Sequence, residues 1–214
     1  MRTDPFFACS WGYWYFLFVR SSSTPPPLYI LRLKSKEPYR SMILAISLVE
    51  ERRRLYEQLR RDPDYTDVAF DPKTGGLKAT HVRHNFEMIG GTGERRAQEI
   101  GFRIGNAVLL LEEDQTIHGV KSVDGLWNGE KMEIATTLTG SSNSILRVLS
   151  HCASKDGSRV AVIVIMKNAS EEVMYKAAGR FSGLKASNPK QWKELSRIVF
   201  VDAEKAQMIS VVPQ

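Results

Sequence analysis

The sequence predicts a mixed α/β fold in three layers, an α+β arrangement around a mixed sheet, and three observations carry that prediction. The run Val160-Ala161-Val162-Ile163-Val164-Ile165 is apolar on both faces, mostly β-branched, and has the length of a buried strand. Helical periodicity precedes and follows it, so the sheet that holds it must be covered on two sides. Between two strand-like runs, Asn128-Gly129 is the strongest short hairpin signal, because both residues tolerate positive φ.

The elements follow in order. Ile43 to Arg61 reads as a helix with Leu48, Leu55 and Leu59 on one side and Glu50, Glu51, Arg52, Arg53 and Arg54 on a solvated side; Pro63 stops it. Asp71-Pro72-Lys73-Thr74-Gly75-Gly76 is a turn between extended pieces at 67–70 and 77–82. Gly90-Gly91-Thr92-Gly93 reads as a flexible linker before a helix from Glu94 to Ile104, since no Lys-Ser/Thr follows the glycines to complete a phosphate loop. Ala107 to Leu111 has the length of a second buried strand, with Glu112, Glu113 and Asp114 at its exit. Val123 to Trp127 and Lys131 to Thr137 are the hairpin strands. Ser141 to Ser144 offer cap chemistry for a helix to about Lys155 whose apolar stripe is Ile145, Val148, Leu149 and Cys152. After the strand at 159–166, Ser170 caps a helix through Phe181 that Gly183 ends, and strands at 197–202 and 207–212 close the chain.

At 214 residues with 43% apolar content, the chain suffices for one core with appendages. Its net charge of +6 is unevenly placed. Arg2, Arg20, Arg32, Lys34, Lys36 and Arg40 against Asp4 and Glu37 leave most of the excess in residues 1–41, so the pI of 9.3 does not mark the body as nucleic-acid-binding. That segment also holds the aromatic run from Phe6 to Phe18 and breaks at Pro25-Pro26-Pro27. It has the length of a signal-peptide core but is aromatic where such cores are Leu and Ala rich, with Asp4 an unhelpful flank, and it is too short to span a bilayer as a helix. The expected organisation is a disordered or artefactual extension at 1–41, with translation starting at Met42, a helix-and-hairpin appendage at 42–92 and the main α/β domain at 93–214. Cys9 and Cys152 make no disulfide framework or metal site, and Cys152 is expected to be a buried, inert thiol. A cytoplasmic protein without membrane partners is the expectation.

The hairpin carries the candidate chemistry. Asp124 begins its first strand and Glu133 stands in the middle of its second, so strand pairing brings two carboxylates together, and such a pair holds a divalent metal. A third acidic ligand is sought among Glu112, Glu113, Asp114 and Glu99. His81, Arg83 and His84 have the wrong spacing for two ligands on one helix face. In the next helix Arg147, His151 and Lys155 fall at i, i+4 and i+8, a polar row that with Ser142 and Asn143 at the positive helix end suits a phosphate backbone.

Asp124-Gly125-Leu126-Trp127-Asn128-Gly129-Glu130-Lys131-Met132-Glu133-Ile134, with Ser141-Ser142-Asn143-Ser144-Ile145 and the strand from Val160 to Ile165, resembles the C-terminal tRNA-nuclease domains of contact-dependent growth-inhibition toxins. Leu55-Tyr56-Glu57, His84-Asn85-Phe86 and His151-Cys152-Ala153-Ser154-Lys155 resemble the C-terminal modules of phage head-morphogenesis (minor capsid) proteins. The similarity covers about residues 50 to 212. Helix, three strands, helix, strand is also the core of the PD-(D/E)XK nuclease fold, here with an extra helix and two terminal strands. The resemblance implies Asp124 and Glu133 as catalytic metal ligands for a divalent ion, Mg2+ by preference. It implies a lysine two residues after the glutamate, where this chain has Ala135; Lys131, Arg147 or Lys155 is then the substitute cation, Lys131 being the one placed in the catalytic set. It further implies RNA, tRNA in particular, as substrate, an inhibitor (immunity) protein as partner, and phage head proteins as partners of the related modules. Two other readings stand beside this metal-assisted ribonuclease. One is a metal-independent RNase of the barnase, EndoU or RelE-like type with His151 or His118 as acid and base; the other is a non-catalytic phage or mobile-element module that lost the lysine.

Overall fold

The structure, a computed structural model, describes residues 38–86, 91–113, 123–155, 157–188, 190, 192 and 194–213. Two compact units divide the chain, Met1–Glu50 and Glu51–Gln214. Only residues 38–50 of the first are described, and they are helical. Cys9 and nearly all of the extension expected at 1–41 therefore lie outside the described residues. Among the described residues no helix is long and apolar enough to cross a membrane.

Among the described residues eight strands form one mixed sheet in sequential order. They are β1 (Tyr65–Asp71), β2 (Gly76–His81), β3 (Ala107–Leu110), β4 (Gly125–Trp127), β5 (Glu130–Thr137), β6 (Val160–Ile165), β7 (Arg197–Asp202) and β8 (Gln207–Val211). The helices are α1 (Pro38–Leu59), α2 (Gly91–Arg103), α3 (Ser142–Ala153) and α4 (Glu171–Ser187). α2, α3 and α4 each connect a parallel pair, β2 to β3, β5 to β6 and β6 to β7, as a parallel pair requires a crossover. The remaining neighbours are antiparallel.

β6 lies between two parallel neighbours with all six residues buried, and its alternate side chains feed two cores. Ala161, Ile163 and Ile165 pack with Leu149 and Cys152 of α3 and Phe181 of α4. Val160, Val162 and Val164 pack on the opposite face with Ala97 and Ile100 of α2. The result is helix, sheet, helix: a mixed α/β fold with α2 on one side and α3 and α4 on the other. The hairpin expected as an appendage supplies β1 and β2 to this same sheet. Leu59, at the end of α1, is buried on β2 and β3 against Leu77, Ala79, Ala107 and Leu109. Cys152 is a free, fully buried thiol, and burial raises its pKa well above the ordinary value.

Local packing corrects several expectations. Gly183 does not end α4, which runs on to Ser187; an exposed glycine costs a helix only about 1 kcal/mol, and Lys185 Nζ anchors the last turn by donating to the Leu195 carbonyl at 2.8 Å. The glycine-rich stretch is not merely a linker, because α2 begins at Gly91. A Cβ on Gly93 would run into Thr136 Oγ1 of β5, so the glycine lets the start of α2 lie directly on the sheet.

Arg52, expected on a solvated face, is 8% exposed. Its Nη1 donates to the carbonyls of Gly75 (2.7 Å) and Gly105, and its Nη2 to Asn128 Oδ1 at 2.8 Å. One guanidinium thereby ties together the turns β1–β2, α2–β3 and β4–β5. Arg52→Met keeps the aliphatic stem and removes the donors, and is expected to destabilise the protein by about 2–3 kcal/mol, read as a lowered denaturant midpoint.

Candidate metal and active site

The hairpin turn sets the first part of the site. Asn128 and Gly129 both take positive φ, 52° and 84°, and the register they impose pairs Gly125 with Met132. Continued by one step, it sets Asp124 opposite Glu133. Met132 and Ile134 face the α2 side, so Glu133 turns to the α3 side, and Asp124, just before β4, reaches back to the same strand with its side chain. Asp124 Oδ2 accepts from the Ile134 N–H at 2.6 Å, and its backbone carbonyl accepts from the Leu111 N–H at 3.0 Å. The exit of β3 is thus fastened to the same point.

Lys155, two residues past α3, places its Nζ 3.0 Å from Glu133 Oε1. The other oxygen, Glu133 Oε2, is buried with no hydrogen-bond partner among the described residues. A buried carboxylate oxygen of this kind calls for a proton, a water or a cation to satisfy it.

Three more side chains act on the pair through their charges, Glu94 and His84 on Asp124 and Glu113 on Glu133. His84 follows β2, Glu94 lies in the first turn of α2, and Glu113 follows β3. His84 Nδ1 is 2.8 Å from the Leu111 carbonyl and 3.5 Å from Glu113 Oε1, while Nε2 is 3.1 Å from Glu94 Oε2. A ligand atom from each of His84, Glu94 and Glu113 lies within 4.8 Å of the others, so this buried group could hold a metal ion.

The electrostatics agree with a place for a cation. Burial lifts the Asp124 carboxyl to about 6, with the Glu94 charge adding to it, against the Ile134 N–H, Lys155 and His84. Burial and then the charges of Asp124 and Glu113 lift Glu133 to about 7, with Lys155 opposing. On Lys155 burial works against the charge, but Glu133 and Asp124 outweigh it and hold the ammonium above its ordinary value. His84 is likewise held up, despite its burial, by Glu94, the Leu111 carbonyl and Glu113. Among these described groups four carboxylates face one lysine and one histidine.

Lys155 thus pairs with Glu133, and the Asp124 charge acts on both. Ala135, where the resemblance calls for lysine, packs partly buried against the α3–α4 core, and the ammonium at Glu133 is that of Lys155. Lys131 is exposed, beside Gly157. Arg147 and His151 are exposed on α3, and Ser142 is half-buried in its first turn. Asn143 Oδ1 accepts from Arg180 Nη1 of α4 at 2.6 Å. Of the proposed third acids, Glu113 reaches the site, whereas Glu99 pairs with Lys78 and Arg103, and Glu112 with Arg83. Asp114 and His118 lie outside the described residues. Sequence reasoning missed Glu94 and discounted His84, because it weighed ligand spacing within one element. The available signal was a buried-type helix start, Gly93-Glu94, following a histidine.

No protein-family model matches the chain, and no curated protein matches it. A solved structure, the CdiA-CT/CdiI toxin and immunity complex from Burkholderia pseudomallei, is similar at 17% identity and a TM-score of 0.42, over 59% of this chain and 89% of that one. A likeness this distant assigns no activity.

Proposed function

We propose that this chain hydrolyses phosphodiester bonds of RNA, tRNA in particular, with a divalent metal. The observation that carries the reading is the buried Glu133, raised by the Asp124 charge, with a lysine ammonium on one oxygen and the other oxygen without a hydrogen-bond partner among the described residues. Asp124 and Glu133 are the ligands that would hold the ion. A divalent ion there would polarise the scissile phosphate, promote ionisation of an attacking water and offset charge on the leaving oxygen. Lys155, kept protonated by its two carboxylate neighbours, sets a fixed positive charge where the nonbridging oxygens gain charge. Arg147 and His151 precede it along α3 at four-residue spacing and supply phosphate contacts outside the reacting bond. Lys131, exposed on the strand of Glu133, is a further cation for the nucleic-acid backbone or the catalytic set. The choice of tRNA, the role as a toxin and the need for an inhibitor (immunity) protein rest on the sequence resemblance alone.

Incubating the full chain with tRNA and total RNA, with Mg2+ or Mn2+ or with a chelator, tests the reading. Cleavage that needs the ion and is lost in Asp124→Asn supports it. Cleavage that survives the chelator favours His151 acid–base chemistry instead, and no cleavage with any metal, joined to stable binding of a phage head protein, favours the non-catalytic module. Lys155→Met is expected to lower the turnover rate by about 10²–10³ with the fold intact by circular dichroism, the loss seen when one preorganised charge is removed.

A further inference from the structure

We propose that His84, Glu94 and Glu113 form a cation site of their own, adjoining the Asp124–Glu133 pair, that takes a borderline transition metal such as Zn2+ or Mn2+ in preference to Mg2+. Three separate segments deliver one ligand each, and their atoms, within 4.8 Å of one another, are near enough for bonds of about 2.0–2.2 Å to draw together.

The imidazole is set for ligation. The Leu111 carbonyl can only accept, so His84 Nδ1 carries the proton of that 2.8 Å hydrogen bond, and Nε2 is the nitrogen that turns to Glu94. A metal-bound histidine is ordinarily oriented in this way, its second nitrogen donating to a backbone carbonyl. The side chain of His84 is fully buried and that of Glu94 is 7% exposed. The ring of Phe86 stands edge-on at 4.7 Å and fixes the imidazole plane.

Ligand chemistry separates this group from its neighbour. Imidazole nitrogen suits Zn2+, Mn2+ and related ions, whereas Mg2+ prefers oxygen ligands and retains several waters. Asp124 and Glu133 offer oxygens only, and the Lys155 ammonium already occupies one side of Glu133. Glu113 Oε1 stands 3.5 Å from His84 Nδ1, so its partly exposed carboxylate has to swing round the ring to meet an ion held by Nε2 and Glu94. The ion binds here whether or not the chain cleaves RNA, so this inference and the proposed function fail separately.

Titration of the full-length, chelator-stripped chain with Co2+ as the spectroscopic stand-in for Zn2+ is the test. The expected result is one tight equivalent that carries the visible bands of a low-coordinate site and is displaced by Zn2+ and not by Mg2+, any second equivalent on the all-oxygen pair being removed by Mg2+. His84→Gln and Glu113→Gln are each expected to weaken binding by more than about tenfold, while Asp124→Asn, which removes a neighbouring charge but no ligand, keeps the bands. Glu113 is partly exposed, 17% by its side chain, so Glu113→Gln carries the test if the buried His84→Gln does not fold. Binding no tighter than that of Mg2+, or binding unchanged in Glu113→Gln, overturns the proposal. Loss of the bands in Asp124→Asn also overturns it, by placing the ion on the Asp124–Glu133 pair.

Discussion

Glu133→Gln is expected to abolish divalent-dependent cleavage, by about a thousandfold or more, while making the metal-free protein more stable. Both effects have one origin. The carboxylate is 3% exposed, feels the Asp124 charge, and among the described residues has Lys155 as its cationic partner. Its pKa of about 7, against an ordinary 4.5, means that ionising it at pH 8 works against folding by about 3 kcal/mol, at 1.4 kcal/mol for each unit. Gln removes that penalty and keeps the shape, but leaves Lys155 without its partner. Because the ammonium is partly solvated, a net gain of about 1–2 kcal/mol remains. The ion loses a ligand and the phosphate loses its clamp, a change of the size seen when a principal catalytic contact is deleted. Denaturant unfolding at pH 8 in chelator and single-turnover cleavage with Mg2+ measure the two halves. A variant that cleaves like the parent would remove Glu133 from the mechanism.

Raising the pH from about 5 to 8 is expected to destabilise the metal-free protein by about 3 kcal/mol or more. The folded-state pKa values of Asp124 and Glu133, about 6 and about 7, lie above their unfolded values of 3.8 and 4.5, so over this window the native state binds more protons than the unfolded one. Stability must then fall as pH rises, from the unfolded pKa until each folded pKa is passed. His84, also raised, acts in the same direction: the stability it contributes while protonated is lost as pH climbs through its folded pKa. The groups share partners, so their effects are not simply summed. Asp71 and Glu99 have lowered pKa values and the opposite sign, but their contribution disappears only on acidification toward and below pH 4. Urea midpoints in chelator should therefore decline between pH 5 and 8 and flatten in the Asp124→Asn, Glu133→Gln double variant. A divalent ion should recover more stability at pH 8 than at pH 5, because binding must displace those protons. A profile that rises over this range would mean that the cluster is not buried as described.

What could be read from the chain follows the range of each signal. Ser141 and Ser170 cap α3 and α4 through side-chain oxygens that accept from backbone N–H groups three residues on. Asn128-Gly129 set a turn whose register is local, so the pairing of Gly125 with Met132 needed only the hairpin. The apolar strand at 160–165 announced a sheet covered on both faces because six consecutive buried residues admit no other surroundings. Arg52 and Gly93 show where such reading ends, since a charged helix residue or a glycine near a helix start looks alike whether it faces water or a neighbouring element.

The sequence by itself determined the order of the elements, the three-layer class and the hairpin register around Asn128-Gly129, because periodicity, capping and hairpin geometry act over a few residues. Only the tertiary structure decided the rest of the site. It brought Lys155 back to the strand of Glu133, which has Ala135 in the expected lysine position, and it joined His84 to Leu111 across 27 residues and to Glu94 across 10. The physical reason is that a cluster of buried charge is assembled by the packing of whole helices on a sheet, which places side chains whose spacing along the chain carries no trace of their distance in space.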